Sequence, residues 1–246
     1  MTRQKLGQHF LIKGSVLERI AAAACPVPQD LVIEIGPGRG ALTEKLLRRA
    51  ARVVAVEVDR YLAEHLRRKF AAEPRLEIVE ADVLEADLGR WGRAVLAGNL
   101  PYYITSPILD LTFRLAPPRA VFLVQKEVAE RLVAVPGTRA YGYLTVAAAL
   151  AAEARLLFEV KPGAFHPPPQ VDSAVVLLEP RPMPQGIEDR DRFLAFAAQC
   201  FRHKRKTIRN NLGEIYGNPL VDAWPEARLR AEQLSLEQFV AMYGRL

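Results

Sequence analysis

The segment Asn99-Leu100-Pro101-Tyr102 contains the residues of this sequence that are best suited to chemistry on a planar amine. Such an amine is a poor nucleophile because its lone pair is delocalised into the ring. The Asn99 side-chain oxygen and the Leu100 carbonyl can accept its N–H groups and stabilise the positive charge that develops as the nitrogen attacks a methyl carbon. Pro101 stiffens the turn, and Tyr102 offers a ring on which a base can stack. The motif favours methylation of an exocyclic adenine amine without a metal, although a structural Asn–Pro turn is the alternative.

A glycine-rich loop, Gly36-Pro37-Gly38-Arg39-Gly40, follows an apolar run and precedes a helical pattern. Glycines at such a position allow a tight turn and let a ligand approach the backbone closely. Glu57 lies at the end of the next apolar run, where an acid can accept both hydroxyls of a ribose. Asp82, just past the third run, is placed to reach an adenine amino group. These features predict a nucleoside site, unless Glu57 and Asp82 only cap the helices that follow.

The glycine spacing discriminates between nucleoside ligands. Dinucleotide folds use Gly-x-Gly-x-x-Gly facing a pyrophosphate, whereas this loop has Gly-x-Gly-x-Gly with an acid, Glu34, before it. The pattern resembles motif I of the S-adenosylmethionine-dependent methyltransferases, and Asn99 on the fourth run makes an oxidoreductase the weaker interpretation. Phe165 lies in a proline-stiffened loop and is predicted to form a second aromatic wall for the base. Its alternative role is that of a core or loop anchor.

Short apolar runs alternate with helical patterns through the first half of the chain. Continuous apolar strands separated by amphipathic helices are typical of βαβ units. The sequence therefore predicts an α/β fold, a Rossmann-like methyltransferase fold with a mostly parallel sheet and helices on both faces. The predicted strands are Leu31–Ile35, Val53–Glu57, Leu76–Glu80, Ala94–Gly98 and Ala120–Val124, and the predicted helices are Ala41–Arg49 and Arg60–Phe70.

Two later apolar runs, Arg155–Val160 and Ser173–Glu179, have no helix between them and are expected to close the sheet with an antiparallel pair. The segment Glu179–Gly186 then interrupts regular structure with three prolines. We expect residues 1–183 to form the methyltransferase domain with a basic N-terminal arm. Residues 184–246 are expected to form a small helical RNA-binding domain, with helices at Arg192–Phe201, Lys206–Ile215 and Ser235–Tyr243.

Composition excludes membrane, collagenous, disulfide-rich and disordered proteins. The chain has 246 residues, of which 50% are hydrophobic and 25% are charged, an ordinary balance for a globular protein. Its longest apolar run, Val146–Ala152, is too short to span a bilayer, so no membrane association is expected. Cys25 and Cys200 have no metal-ligand or disulfide-framework spacing, and no secretory signal is evident. These features favour a cytoplasmic protein.

The net charge of +6 is concentrated in two short stretches. Arg3, Lys5 and Lys13 precede the first acidic residue, Glu18, and five basic residues lie between 202 and 209. The rest of the chain has 26 basic against 28 acidic residues. This distribution is compatible with solvated faces or with the footprint of a polyanion. In the second interpretation the residues that bind RNA phosphates are Arg202, Lys204, Arg205, Lys206 and Arg209.

Together these motifs resemble the ribosomal RNA adenine dimethyltransferases, and the resemblance covers nearly the whole chain. It rests on Gln8–Leu11, Glu34–Thr43, Val56–Asp59, Asn99–Tyr102, Gln125–Val128, Phe165–Ser173 and Phe201–Thr207. The small-subunit branch matches best, because the basic segment at 201–207 is similar to its counterpart there.

The resemblance implies transfer of four methyl groups from S-adenosylmethionine to N6 of two adjacent adenosines in the 3′-terminal hairpin loop of small-subunit rRNA. It implies a substrate that is an assembling 30S particle, and we expect a monomeric enzyme. The residues it implies around the cofactor are His9, Leu11, Gly36, Gly38, Glu57, Asp82 and Asn99. Position 9 is often Asn in the family, and His9 can still donate a hydrogen bond.

Three other functions remain open at this point. The sister group that dimethylates large-subunit rRNA shares the glycine loop and the Asn-Leu-Pro-Tyr-type motif. A non-catalytic RNA-binding or assembly factor would not need Asn99-Leu100-Pro101-Tyr102 and the glycine loop to be intact together. A DNA adenine methyltransferase is disfavoured because the helical part is small for a sequence-reading module.

Overall fold

The computed structural model describes residues 9–246, which contain a seven-stranded sheet and a two-stranded ribbon. The strands are β1 (Phe10–Leu11), β2 (Gln29–Ile35), β3 (Ala50–Glu57), β4 (Leu76–Glu80), β5 (Val95–Asn99), β6 (Ala120–Gln125), β7 (Ala152–Val160), β8 (Phe165–His166) and β9 (Ser173–Pro180). Arg3, Lys5 and Gln8, which carry part of the basic arm and of the N-terminal motif, lie outside the described residues.

The α-helices follow the same chain order. They are α1 (Gly14–Ala24), α2 (Thr43–Leu46), α3 (Arg60–Lys69), α4 (Thr105–Leu115), α5 (Lys126–Leu132), α6 (Tyr143–Ala151), α7 (Arg190–Cys200), α8 (Ile208–Tyr216), α9 (Asn218–Asp222) and α10 (Leu236–Tyr243). The predicted helix at Ala41–Arg49 is shorter than expected, because residues 41–42 and 47–49 form turns on either side of α2.

The large sheet has the strand order β4-β3-β2-β5-β6-β9-β7. Strands β2 to β6 pair in parallel, and β9 runs antiparallel to β6. The central strands are largely apolar, as expected of a parallel sheet with helices on both faces; Val53, Val54 and Ala55 of β3 are fully buried. The predicted α/β fold with a mostly parallel sheet is confirmed, and β9, next to the edge strand β7, runs antiparallel to β6.

The chain forms two compact units. The first comprises residues 1–129 and 154–180, and the second comprises residues 130–153 and 181–246. The predicted division at 183/184 therefore lies close to one junction but leaves out residues 130–153. These residues include α6, which is apolar on most sides and contacts α7 and α10 within the second unit.

The second unit has a core of its own. The Phe193 ring meets Tyr243 edge-on at 5.5 Å, and Phe201 stacks on Phe239 at 5.6 Å between ring centroids. Such aromatic pairs stabilise a small core beyond the area they bury. At the start of α10, Ser235 accepts the Gln238 N–H while Gln238 Oε1 accepts the Ser235 N–H, a capping box.

The ribbon of β1 and β8 anchors the N-terminal residues to the first unit. Phe10 pairs with His166 and Leu11 with Phe165 in antiparallel register. The Ile12 N–H extends the ribbon by donating to the Ala164 carbonyl at 2.9 Å. Along the described part of the chain, no helix combines the length and apolar character needed to cross a membrane.

Candidate active site

A cavity of about 680 Å³ lies at the carboxyl ends of β2, β3 and β5. Ligands in open α/β sheets bind at this edge, where loops from neighbouring strands converge. The lining includes every residue predicted to hold the cofactor: His9, Leu11, Gly36, Gly38, Glu57, Asp82 and Asn99. It also includes Leu100, Pro101 and Tyr102. The structure thus brings both predicted motifs to one cavity.

The glycine loop connects β2 to α2 through backbone conformations that disfavour side chains. Gly36, Gly38 and Gly40 all have positive φ. A Cβ on Gly38 would also lie 3.1 Å from the Phe10 ring, so a side chain at this position would be both strained and crowded. The Gly38 N–H donates to Glu57 Oε2 at 3.0 Å, which links the loop to the end of β3.

Glu57 is oriented by backbone donors rather than acting as a helix cap. Its Oε1 accepts the Asp59 N–H at 2.9 Å, while Asp59 itself caps α3 by accepting from Tyr61 and Leu62. Burial raises the pKa of Glu57, and the N–H donors from Asp59 and Gly38 oppose that rise. The carboxyl is therefore fixed in the cavity wall with lone pairs remaining for ligand hydroxyls.

Glu34 is a second buried acid in the same cavity. Thr43 Oγ1 donates to its Oε2 at 2.6 Å. Burial raises the pKa of Glu34 to about 8, and the neighbouring Glu57 carboxylate adds to the rise. Two buried carboxyls lining one cavity favour a ligand that carries positive charge, because a cation would lower the cost of ionising them. A sulfonium amino acid such as S-adenosylmethionine fits this requirement.

Asn99, the last residue of β5, is held by the N-terminal residues. Its Nδ2 donates to the His9 carbonyl at 3.0 Å. The contact assigns the amide nitrogen to His9 and leaves Oδ1 as the acceptor for a ligand. The Leu100 N–H donates to the Leu123 carbonyl of β6 at 3.0 Å, which fixes the peptide that follows. The first bond orients the Asn99 amide, and the second fixes the Asn99–Leu100 peptide that precedes the Leu100 carbonyl.

Tyr102 lines the cavity beside this turn. Its hydroxyl lies 2.6 Å from Ser173 Oγ, and its ring centroid is 5.9 Å from that of His9. Burial raises the pKa of Tyr102, and the hydrogen bond to Ser173 opposes the rise. The ring is neutral near physiological pH and held at its far end, as a stacking platform requires.

The structure does not place Phe165 as a second aromatic wall. Its side chain is 3% exposed and belongs to the hydrophobic core that includes Leu11 and Val175. Successive residues of a strand face opposite sides. Because Phe165 of β8 faces the core, the next residue, His166, faces the cavity and forms part of its lining. The anchor role considered as its alternative describes Phe165 in this structure.

Other lining residues were not singled out in the sequence. Tyr103 is 58% exposed and lines the cavity. Its partial burial raises its pKa, and the nearby charges of Asp82 and Glu57 raise the pKa further. The lining also includes Arg39, whose guanidinium lies 4.6 Å from the Phe10 ring centroid. The sequence signal that could have predicted Tyr103 as a lining residue is its position directly after Tyr102. For Arg39 the only such signal is its place in the glycine loop.

The basic residues predicted to bind RNA lie in the second unit. Arg202, Lys204, Arg205 and Lys206 are exposed in the turns between α7 and α8, and Lys204 Nζ donates to the Arg139 carbonyl at 3.2 Å. Arg209 differs because it lies on α8 and pairs with Asp222 at 2.5 Å. Its charge is partly compensated by Asp222, whereas the four residues of the turns are exposed.

The chain that forms this cavity is similar to proteins of one family. A family model described as ribosomal RNA adenine dimethylase matches residues 1–246. The chain belongs to the ribosomal RNA adenine dimethylase family. Two relatives named ribosomal RNA small subunit methyltransferase A are similar to it over nearly their whole length. That of Acidobacterium capsulatum is 42% identical over 99% of this chain and 91% of the relative, and that of Gloeobacter violaceus is 44% identical over 100% and 93%.

Two solved structures are similar to this chain over nearly its whole length. A dimethyladenosine transferase from Plasmodium falciparum superposes with a TM-score of 0.78 at 26% identity, covering 94% of this chain and 95% of that one. The 23S rRNA methyltransferase ErmE gives a TM-score of 0.74 at 30% identity, covering 96% and 99%. The chain is an S-adenosylmethionine-dependent rRNA adenine dimethyltransferase, as predicted.

Among residues 9–246, no group of three or more His, Cys, Asp or Glu side chains is arranged to hold a metal ion. The polar groups that converge on the cavity are amide, carbonyl, carboxyl and hydroxyl groups, together with the imidazoles of His9 and His166 and the Arg39 guanidinium. They are suited to binding and orienting an amine and a nucleoside.

Proposed function

We propose that this enzyme dimethylates N6 of two adjacent adenosines in the 3′-terminal hairpin loop of small-subunit rRNA, within assembling 30S particles. The observation that carries the proposal is the 42–44% identity, over nearly the full chain, to relatives named as small-subunit methyltransferases. ErmE, whose name specifies 23S rRNA, is 30% identical. The basic turns at 202–206 supply the phosphate contacts that such a substrate needs.

On the cofactor side, the chain's own groups divide the binding of S-adenosylmethionine. We infer that Glu57 accepts the ribose hydroxyls, and that Asp82 accepts the adenine amino group. Gly36 and Gly38 bring backbone close to the ligand, and His9 and Leu11 close the cavity from the N-terminal side. When bound, the cofactor supplies an electrophilic methyl carbon on a sulfonium.

On the base side, Asn99 Oδ1 and the Leu100 carbonyl accept the two N–H groups of adenine N6. These acceptors favour a pyramidal nitrogen and stabilise the charge that develops on it during attack. The Tyr102 ring stacks on the base and fixes its plane. A loop adenosine is already partly unstacked, so bringing it into the cavity costs less than extracting it from a duplex.

The basic turns position the rRNA without reading its sequence, which makes their effect electrostatic. Replacing Lys204 and Arg205 together with alanine should weaken binding to small subunits and reduce the slope of log K against log salt by about 1.5. Lys204 makes one backbone contact, to Arg139, so the fold should survive the change. Binding is measured by filter retention of labelled subunits across a salt series.

A matched control separates phosphate contact from net charge. Arg60 and Arg68 are exposed on α3, and their double alanine variant loses the same number of charges. That variant should bind with the salt slope of the unmodified enzyme. Equal slopes in the two double variants would contradict a specific role for the turns at 202–206.

The subunit is identified by direct labelling. Purified enzyme with S-adenosylmethionine carrying a labelled methyl group is incubated with undermethylated 30S particles, 50S particles and mature 30S subunits. Label is expected in the undermethylated 30S particles, and mass spectrometry of the digested rRNA should show dimethyladenosine at two adjacent positions. Labelling confined to 50S particles would overturn the proposal in favour of the large-subunit activity.

The proposal includes a monomer that works in the cytoplasm. Cys25 and Cys200 are both buried free thiols, and burial raises the pKa of Cys25 to about 11 and that of Cys200 to about 12. Protonated buried thiols are in keeping with a reducing compartment. Sedimentation equilibrium of the purified enzyme measures the oligomeric state.

A further inference from the structure

Ser173 is a buried polar residue that the catalytic motifs leave without a role. It is fully buried at the first position of β9, opposite Gln125 of β6. The neighbouring Lys126 N–H donates to the Asp172 carbonyl at 2.9 Å, so the strand end is fixed on both sides of the register. The Ser173 hydroxyl is therefore held by the large sheet and not by a mobile loop.

The partner of this hydroxyl is the Tyr102 hydroxyl, at 2.6 Å. The Tyr102 ring lines the cavity, whereas Ser173 lies behind it, outside the lining. His9 limits the ring on another side, since its own Nδ1 is 2.8 Å from the Pro167 carbonyl and the two rings lie 5.9 Å apart. Two fixed backbone segments thus restrict one aromatic ring.

We propose that Ser173 is a positioning residue that holds the Tyr102 ring for base stacking, and that the second methyl transfer to each adenosine depends on it more than the first. The proposal rests on the roles proposed above for Asn99, Leu100 and Tyr102. It adds a residue from β9, a strand that contributes none of the cofactor-binding or base-binding groups named above.

The difference between the two transfers follows from counting N–H groups. In each transfer the N6 lone pair forms a bond to the methyl carbon, the carbon–sulfur bond breaks with its electron pair going to sulfur, and one N6 proton leaves to water. The unmodified amine has two N–H groups for Asn99 Oδ1 and the Leu100 carbonyl. The monomethylated amine has one, so one acceptor loses its partner and stacking on Tyr102 carries more of the positioning.

The variants Ser173→Ala and Tyr102→Phe test this dependence, because each removes one hydroxyl of the pair. The rates of the first and second transfers are obtained from time courses of monomethyladenosine and dimethyladenosine by mass spectrometry. The loss of one such hydrogen bond should slow the second transfer by roughly fivefold to tenfold. The first transfer should change less, and monomethyladenosine should accumulate. The double variant should match Tyr102→Phe, since both changes remove one interaction.

Controls keep a structural effect apart from a positioning effect. Thr112 is buried in α4, and its hydroxyl donates to the Ile108 carbonyl. Thr112→Val also deletes a buried hydroxyl, and it should lower stability without changing the ratio of the two transfer rates. An unchanged ratio in both Tyr102→Phe and Ser173→Ala, or equal slowing of both transfers, would overturn the proposal. The ratio is measured on whichever subunit the unmodified enzyme methylates, so an error about the subunit would be seen separately.

Discussion

Replacing Asn99 with alanine should reduce the rate of methyl transfer by about 10² to 10³-fold or more. The change removes Oδ1, an acceptor aimed at the developing charge on N6, and it removes the Nδ2 donor that ties the site to the His9 carbonyl at 3.0 Å. Binding to small subunits should persist, because the basic turns at 202–206 are untouched. Single-turnover methylation and subunit retention, measured on the same preparation, check the two parts.

Asn99→Asp tests whether an acceptor oxygen at this position is sufficient, or whether the Nδ2 donor to His9 is needed as well. Aspartate keeps an acceptor oxygen but loses the donor to His9 and places a carboxylate against that carbonyl. We expect this variant to be slow as well, because the acceptor is no longer held in orientation. An Asn99→Ala enzyme with full activity would refute the proposed role of Asn99, and loss of subunit binding would show that Asn99 serves in RNA recognition.

Asn211 offers a matched control for the loss of a buried asparagine. It is 4% exposed, and its Nδ2 donates to the Cys200 carbonyl at 2.8 Å. Its Oδ1 accepts the His203 N–H at 3.1 Å. Asn211→Ala should destabilise the second unit, since it leaves buried backbone groups without partners. Because Asn211 also holds the His203 backbone within the basic turns, turnover of the folded fraction is compared at saturating subunit concentration, where it should remain close to that of the unmodified enzyme.

The strands could be predicted from the sequence because burial on both sheet faces leaves a simple pattern. Val53–Glu57 and Ala120–Val124 were predicted within a few residues of β3 and β6. The edge that holds the site followed from the same pattern, since parallel strands align their carboxyl ends. Gly36, Glu57 and Asn99 each follow or end such a run, which is why their convergence could be expected.

Contacts between distant segments could not be predicted in this way. The ribbon of β1 and β8 has two residues in each strand, too few for any periodicity, yet its register decides that Phe165 faces the core. The pairing of Arg209 with Asp222 likewise depends on the bend between α8 and α9. The Ser173–Tyr102 bond joins residues whose neighbourhood only the assembled sheet creates.

The largest expected effect on stability is that of Gly98→Ala, one residue before Asn99. Gly98 lies in β5, which is hydrogen-bonded between β2 and β6. A Cβ at this position would stand 2.4 Å from the Ile35 carbonyl oxygen and 3.3 Å from its carbon. These are backbone atoms at the entrance to the glycine loop, and they cannot move away as a flexible side chain would.

Relief of this clash requires β5 to separate from β2, which breaks the register that joins Ile33 to Leu96 and Glu34 to Ala97. Overpacking of a well-packed interior costs about 1–3 kcal/mol, and a backbone clash in the centre of a sheet belongs at the upper end or beyond. The thermal midpoint of the first unit should therefore fall by roughly 6–12 °C. Because Asn99 moves with the strand, turnover should also fall in the fraction that remains folded.

Gly14 is the matched control, since a Cβ there meets no atom within 4 Å and it begins helix α1 with no positive φ. Gly14→Ala should change stability by no more than about 0.5–1 kcal/mol, in either direction, and leave turnover intact. Differential scanning calorimetry and methylation rates on both variants give the comparison. If Gly98→Ala had the same thermal midpoint as Gly14→Ala and kept its activity, β5 would be able to move without cost. A rigid spacing between the glycine loop and Asn99 would then not be a requirement of the site.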